Sequence, residues 1–299
     1  MSDYVQENKL PDLATNTPPL TKSFTGLPSV VDRQDVALLI TNAYKDRLWP
    51  QKKESMALYG GDQDRPNILQ FLGNFELNLE IDAIDNASRK NIEDCIRKAI
   101  NSCPPLLVAY FQGHATIYDN ILRYITSDDD DELLEYLTAE ELVELFSKLT
   151  TQTKTVVITD FCHSGNMYGL EFFLKEEQDG TVAWHRTDEW NKEQRTAIAS
   201  PMLHIAGSLR EQKVYETGRS GGYVTEGLAG VDVKSMTLPQ VLRHLQRHVD
   251  YHIEAVNRRL RGGFSAKQTP QIYSSYKWPL DDPRILSTIG LIDISIISD

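Results

Sequence analysis

The apolar positions of this chain fall into two kinds of pattern, short unbroken runs and longer stripes with helical spacing. Val36–Ile40 (VALLI), Leu106–Phe111 (LLVAYF) and Val156–Ile158 (VVI) are unbroken and too short for helices, as strands buried on both faces are. Phe75 to Ile81 instead alternates Phe75, Leu77, Leu79 and Ile81 with Glu76, Asn78 and Glu80, which predicts a strand with one wet face, nearer the sheet edge. Further strands are expected at Leu122–Thr126, near Leu203–Ala206 and at Gln271–Ser274. Helical stripes appear at Ser88–Cys103 through Ile92, Cys95, Ile96, Ala99, Ile100 and Cys103, which assigns both cysteines to the core. A second helix opens at Thr138 with Glu141 in capping-box spacing and faces inward with Leu142, Leu145, Phe146 and Leu149. The longest runs from about Leu238 to Leu260. Short helices are expected at Pro66–Leu72 and from about Tyr223. Strand and helix alternate from Val36 to Ile158, which calls for right-handed crossovers and an α/β fold with a mainly parallel central sheet flanked by helices.

Residues 1–31 lack either period and carry Pro11, Pro18, Pro19 and Pro28, so they read as a flexible leader. The packed domain is placed at 32–281, with a charged surface linker at about 175–195 between a larger segment (32–174) and a smaller one (196–281), and a tail at 282–299. The net charge of −12 argues against nucleic acid, whose binding needs clustered Lys and Arg, and suits a basic ligand. No run approaches a membrane span. Three cysteines without zinc-like pairing fit a reducing cytoplasm, and nothing in the sequence suggests an organic cofactor.

Chemistry concentrates at the ends of two of the buried strands. In TVVITDFCHSG, residues 155–165, the strand delivers Cys162 to an open turn, at the carboxyl edge where open α/β sheets bind ligands. Gly113-His114 follows LLVAYF in the same way. If the two strands are neighbours, a thiol nucleophile and an acid–base histidine share one edge. A lone cysteine after a strand is more often structural, so each residue alone is weak evidence.

YFQGHA (110–115) resembles the Y-x-S-G-H-G segment, and DFCHSG (160–165) the D-x-C-H-S-G segment, of the metacaspases in the caspase-like cysteine peptidase clan. ALLI, SRKNI, HIAGSLREQKVYE, GGYVTEGL and QTPQIYSS extend the similarity from about Val36 to Tyr276. The resemblance is to the type I form, with the leader as a short prodomain, and implies a caspase-like three-layer α/β/α sandwich.

It further implies a cysteine endopeptidase that cuts after Arg or Lys, with Cys162 as nucleophile, His114 as catalytic histidine and the N–H groups of Cys162 and Ala115 as oxyanion hole. Ala115 stands where the family usually has glycine; a positive φ there would cost alanine about 1 kcal/mol or more. Asp160 matches the acid that lines the basic-residue pocket, and Asp64, in LYGGDQD, falls where the family places a second. Their plainer readings are a turn cap for Asp160 and a helix N-cap for Asp64. Ser208 resembles a serine whose backbone edges the substrate cleft. His163, beside the nucleophile, is expected to point away from it in a strand-like turn.

Calcium activation is common in the family, and Asp128, Asp129, Asp130 and Asp131 offer hard oxygen ligands, although such a run also reads as a solvated loop. Lys175, Arg186, Lys192 and Arg195 in the linker are candidate autocleavage points. His244, His248 and His252 recur every fourth residue on the long helix and have zinc-like spacing, while a boundary face is the simpler reading. Protein or peptide substrates and a monomer are expected. A non-catalytic scaffold is the alternative, with Ala115 as its main hint.

Overall fold

The computed structural model describes residues 34–50, 52–75, 79–128, 134–188, 198–259 and 265–289. The expected leader, Asp129–Asp131, Lys192, Arg195 and the last ten residues lie outside them.

Eight strands form the central sheet among the described residues, in the order β2-β1-β3-β7-β10-β13-β8-β9. The strands β1 (Asp35–Thr41), β2 (Leu79–Asp85), β3 (Leu106–Gln112), β7 (Lys154–Asp160) and β10 (Met202–Ala206) run parallel. The remaining three, β8 (Phe172–Glu176), β9 (Val182–Arg186) and β13 (Gln271–Ser274), are antiparallel. A three-stranded sheet of β4 (Ala115–Tyr118), β5 (Ile121–Ile125) and β6 (Tyr136–Thr138) and a two-stranded ribbon of β11 (Glu216–Thr217) and β12 (Gly221–Gly222) stand beside it.

The period-two alternation of side chains sorts the helices onto two faces. Ala37, Leu39, Val108, Tyr110, Val156 and Ile158 point into one core, covered by α1 (Gly61–Gly73), α4 (Tyr223–Ala229) and α5 (Leu238–Arg259). The alternate residues Leu38, Ile40, Leu107, Ala109, Phe111 and Val157 point into the other, covered by α2 (Arg89–Ser102) and α3 (Ala139–Phe146). The result is a three-layer α/β/α sandwich. Thr138 and Glu141 form the expected capping box at the start of α3. A last turn, α6 (Ile285–Thr288), buries Ile285 and Leu286 in the first core, so the packed chain continues past residue 281. None of the described helices is long and apolar enough to cross a membrane.

Several local expectations are corrected. The edge strand is Leu79–Asp85 rather than 75–81, because Phe75 packs edge-on against Phe71 at the end of α1 and is no longer part of the strand. That helix begins at Gly61, not Pro66, so Pro66 lies inside it. The charged 175–195 region is no simple linker: its first part is the β8–β9 hairpin. There Leu174 is buried while Lys175 and Glu176, at the end of β8, are exposed. Cys95 is only half-buried, and Cys103 is the left-handed C-cap of α2 with φ 48°, so neither belongs to the core. The strand β4 was not foreseen; Asp119 and Asn120, at φ 51° and 60°, make the tight turn that pairs it with β5.

Leu107, the second residue of β3, is fully buried. Leu107→Ala should lower unfolding free energy by about 2–5 kcal/mol, read from the midpoint of urea denaturation.

Candidate active site

The strands β3 and β7 are neighbours, and their parallel register ends with Gln112 opposite Asp160. His114 and Cys162 each lie two residues beyond that pair. They therefore leave the same edge of the sheet from strands about 4.8 Å apart.

The His114 loop is held by Tyr44. Gly113 has φ 155°, and a Cβ there would lie 2.7 Å from the Tyr44 hydroxyl, so the close approach requires glycine. That hydroxyl accepts from the His114 backbone N–H at 3.2 Å and donates to the Ile125 carbonyl. The Tyr44 ring stacks on the imidazole at 5.0 Å, and Trp49 lies against it at 5.1 Å. His114 Nε2 is 2.7 Å from the Met56 carbonyl oxygen. A carbonyl only accepts, so Nε2 carries the proton and Nδ1 is left as the basic nitrogen. Burial holds the imidazole below its usual range, which the Met56 bond partly offsets, and so favours the neutral ring.

Burial pushes the Cys162 thiol up, against the Val214 N–H and the Lys213 ammonium, which favour thiolate; Asp160 adds to the rise. Both shifts favour the neutral thiol and the neutral imidazole. Its loop packs tightly on residues 209–210, where a Cβ at Gly165 would lie 2.5 Å from the Arg210 nitrogen. His163 adopts φ 66°, not a strand-like turn, and its Nδ1 bonds the Arg210 carbonyl at 2.8 Å.

Two buried carboxylates interact with one another, and one of them, Asp160, is felt by the thiol. Asp160, the last residue of β7, accepts at Oδ2 from the Thr225 hydroxyl at 2.6 Å and from the Thr225 N–H at 3.2 Å. Tyr110 extends the chain to Thr225 at 2.9 Å. Asp64 does not cap its helix. It sits in the first turn of α1 and accepts at Oδ1 from the Gly222 N–H at 2.7 Å. Asp64 Oδ2 and Asp160 Oδ1 are buried without a hydrogen-bond partner. Desolvation raises both carboxyls, and for Asp64 the charge of Asp160 adds to it. Glu216 closes the rim by accepting from the Tyr59 N–H at 2.8 Å. Buried acceptors left open in this way suit a cationic ligand with several donors.

Ala115 has no positive φ, so the strain considered for alanine does not arise. Ile125 N–H donates to the His114 carbonyl, which puts His114 in the hydrogen-bonded pair of the β4–β5 ladder. The next residue's N–H, that of Ala115, then points away from β5. The Ser208 side chain is fully buried and its hydroxyl bonds the Gln212 carbonyl at 3.3 Å, so it holds a turn. Asp128 accepts from the Arg89 N–H and the Thr126 hydroxyl, holding the start of α2.

A family model described as the caspase domain matches residues 34–277. The chain belongs to this family of caspase-like cysteine peptidases. Comparison with curated proteins returns no match. Among solved structures, that of protein GSU0716 from Geobacter sulfurreducens is similar, at 16% identity and TM-score 0.53, covering 84% of this chain and 98% of that one. Such a likeness speaks for the fold alone.

Met56, Tyr44 and Trp49 were missed from the sequence. A backbone carbonyl leaves no trace in residue type, and two aromatics in a loop read as ordinary packing.

A carboxyl raised above its ordinary 3.8 binds more protons in the folded state, so stability falls as pH climbs through the window above that value. Asp64→Asn keeps an acceptor for Gly222 and removes the ionisation. Its urea midpoint should therefore gain on wild type between about pH 5 and about pH 8; a constant difference would count against the buried-charge account.

Proposed function

We propose that the chain is a metacaspase-type endopeptidase that cleaves after arginine or lysine. The observation that carries this reading is the pair of buried carboxylates, Asp64 and Asp160, each with an unpartnered oxygen, the second of them two residues before Cys162 and felt by its thiol. A P1 guanidinium would supply donors to both open oxygens and draw both carboxyls into the ionised form. Arginine, with its planar fork, should be preferred to lysine.

In this mechanism the Cys162 sulfur attacks the scissile carbonyl carbon while His114 Nδ1 takes the thiol proton. The negative charge that develops on the carbonyl oxygen is received by the N–H groups of Cys162 and Ala115. Collapse breaks the C–N bond, His114 returns its proton to the departing amine, and a thioester remains. Water, deprotonated by His114, then attacks the thioester, releasing the carboxylate product and restoring the thiol. Met56 acts throughout by holding the ring in the tautomer that keeps Nδ1 basic.

Autoprocessing favours Lys192 and Arg195 over the other two candidates. Lys175 and Arg186 lie in paired strands, and Arg186 is also bound to Glu171 at 2.6 Å, whereas a protease needs an extended, unpaired substrate. A monomer in a reducing cytoplasm is consistent with three unpaired cysteines. Calcium activation would work through the acidic run Asp128–Asp131, of which Asp128 already serves α2.

Fluorogenic peptides ending in Arg, Lys or Asp, assayed with and without calcium, test the reading. Arg and Lys peptides should turn over, Cys162→Ala should abolish turnover, and Asp160→Asn should lower kcat/KM for Arg by about 2–5 kcal/mol, roughly 30-fold to several thousand-fold. Turnover of the Asp peptide alone would overturn the pocket, and none at all would favour the scaffold. For autoprocessing, wild type should yield fragments ending at Lys192 or Arg195 by mass, and Cys162→Ala none.

A further inference from the structure

The helices α4 and α5 meet at a cluster that the peptidase chemistry does not use. Glu226 follows Thr225 on α4, and His248 and His252 lie one turn apart on α5. Glu226 Oε2 is 3.3 Å from His248 Nε2 and 3.2 Å from His252 Nε2, and the three atoms all lie within 4.8 Å of one another. Glu226 Oε2 and His248 Nε2 are buried, and neither has a well-aligned hydrogen-bond partner. The carboxylate–histidine contacts are thus close but not shaped as good hydrogen bonds. They suit three lone pairs converging on a common point.

We propose that Glu226, His248 and His252 bind a divalent zinc-class cation that clamps α4 to α5. Two imidazoles and one carboxylate, with a fourth position for water, form a known zinc donor set. Tetrahedral zinc with bonds near 2.0–2.1 Å holds its donor atoms about 3.3 Å apart, close to the two carboxylate–imidazole separations here. Softer calcium-type coordination is disfavoured, because calcium takes six or more oxygens. The Tyr223 ring stacks on His252 at 4.6 Å and fixes its orientation. His244 is excluded: its Nε2 bonds the Gly227 carbonyl at 3.0 Å. The histidine series expected from sequence therefore supplies two ligands, and the third comes from another helix. Side-chain exposures of 19–27% leave the cluster open to an entering ion.

The clamp sits close to the acidic pocket along one short helix. The N–H of Gly222, which precedes α4, binds Asp64, Thr225 binds Asp160, and Glu226 would bind the metal.

The test uses full-length Cys162→Ala protein, so that the reactive thiol cannot compete as a ligand and no turnover is needed. Zinc titrated against a chromophoric chelator should show one equivalent bound. Glu226→Gln, His248→Ala and His252→Ala should each weaken it by at least about 100-fold, since even outer-shell changes cost 10–100-fold. His244→Ala should bind as the parent does. Cobalt in place of zinc should give the visible absorption of a tetrahedral site without a thiolate charge-transfer band. Circular dichroism checks that each variant is folded, and His252→Gln replaces any that is not. No bound equivalent in the parent, or unchanged affinity in the folded ligand variants, would overturn the proposal whatever the peptidase assays show.

Discussion

The pairing of β3 with β7 is the constraint on which the rest depends. Both strands are buried on both faces, so a slip of one residue would turn Tyr110 and Ile158 out of one core and Phe111 and Val157 out of the other. Packing thus locks the register, and the register sends Gly113-His114 and Phe161-Cys162 off the sheet side by side. Each departing loop is then pinned to a neighbour, the first by the Tyr44 hydroxyl and the second by contact with residues 209–210 after β10. The reactive groups sit on loops, but their precision comes from five parallel strands.

Most of that frame was legible in the sequence because burial on two faces forces unbroken apolar runs, and these runs are short. The errors occur where one residue serves two elements. Phe75 satisfies a strand alternation but lies just past the end of α1, where packing on Phe71 takes it out of the strand. The β8–β9 hairpin was hidden by charge, since the exposed Lys175 and Glu176 of β8 and Arg186 of the edge strand β9 look like a loop. At the site, Cys162, His114 and Asp160 were visible because their chemistry lies in side chains next to strand ends. Asp64 was ambiguous between cap and pocket; its burial and its bond to Gly222 remove the cap reading. Glu226 was out of reach, because only the packing of α4 on α5 brings it to the histidines.

Electrostatically the molecule keeps an uncompensated tension. An isolated buried carboxylate costs several kcal/mol, and here desolvation raises both carboxyls while the charge of Asp160 raises Asp64 further. Thr225, Tyr110 and the Gly222 N–H offset part of that cost and leave two oxygens open. The neutral thiol and imidazole fit the same picture. Burial disfavours charge on each of these groups, and a cation seated on the two acids would favour their ionised form.

The glycine pair at 221–222 gives this chamber an unusual mutational landscape. A Cβ on Gly221 would lie 2.2 Å from Asp64 Oδ1, and one on Gly222 2.2 Å from Asp160 Oδ2. The wall is bare backbone, with no side chain to trim, so at these two positions every single substitution fills the space. If the two acids receive a basic side chain as proposed, a substitution at either glycine would block that space outright rather than adjust it by degrees, and a change of preferred residue would have to begin at the acids themselves.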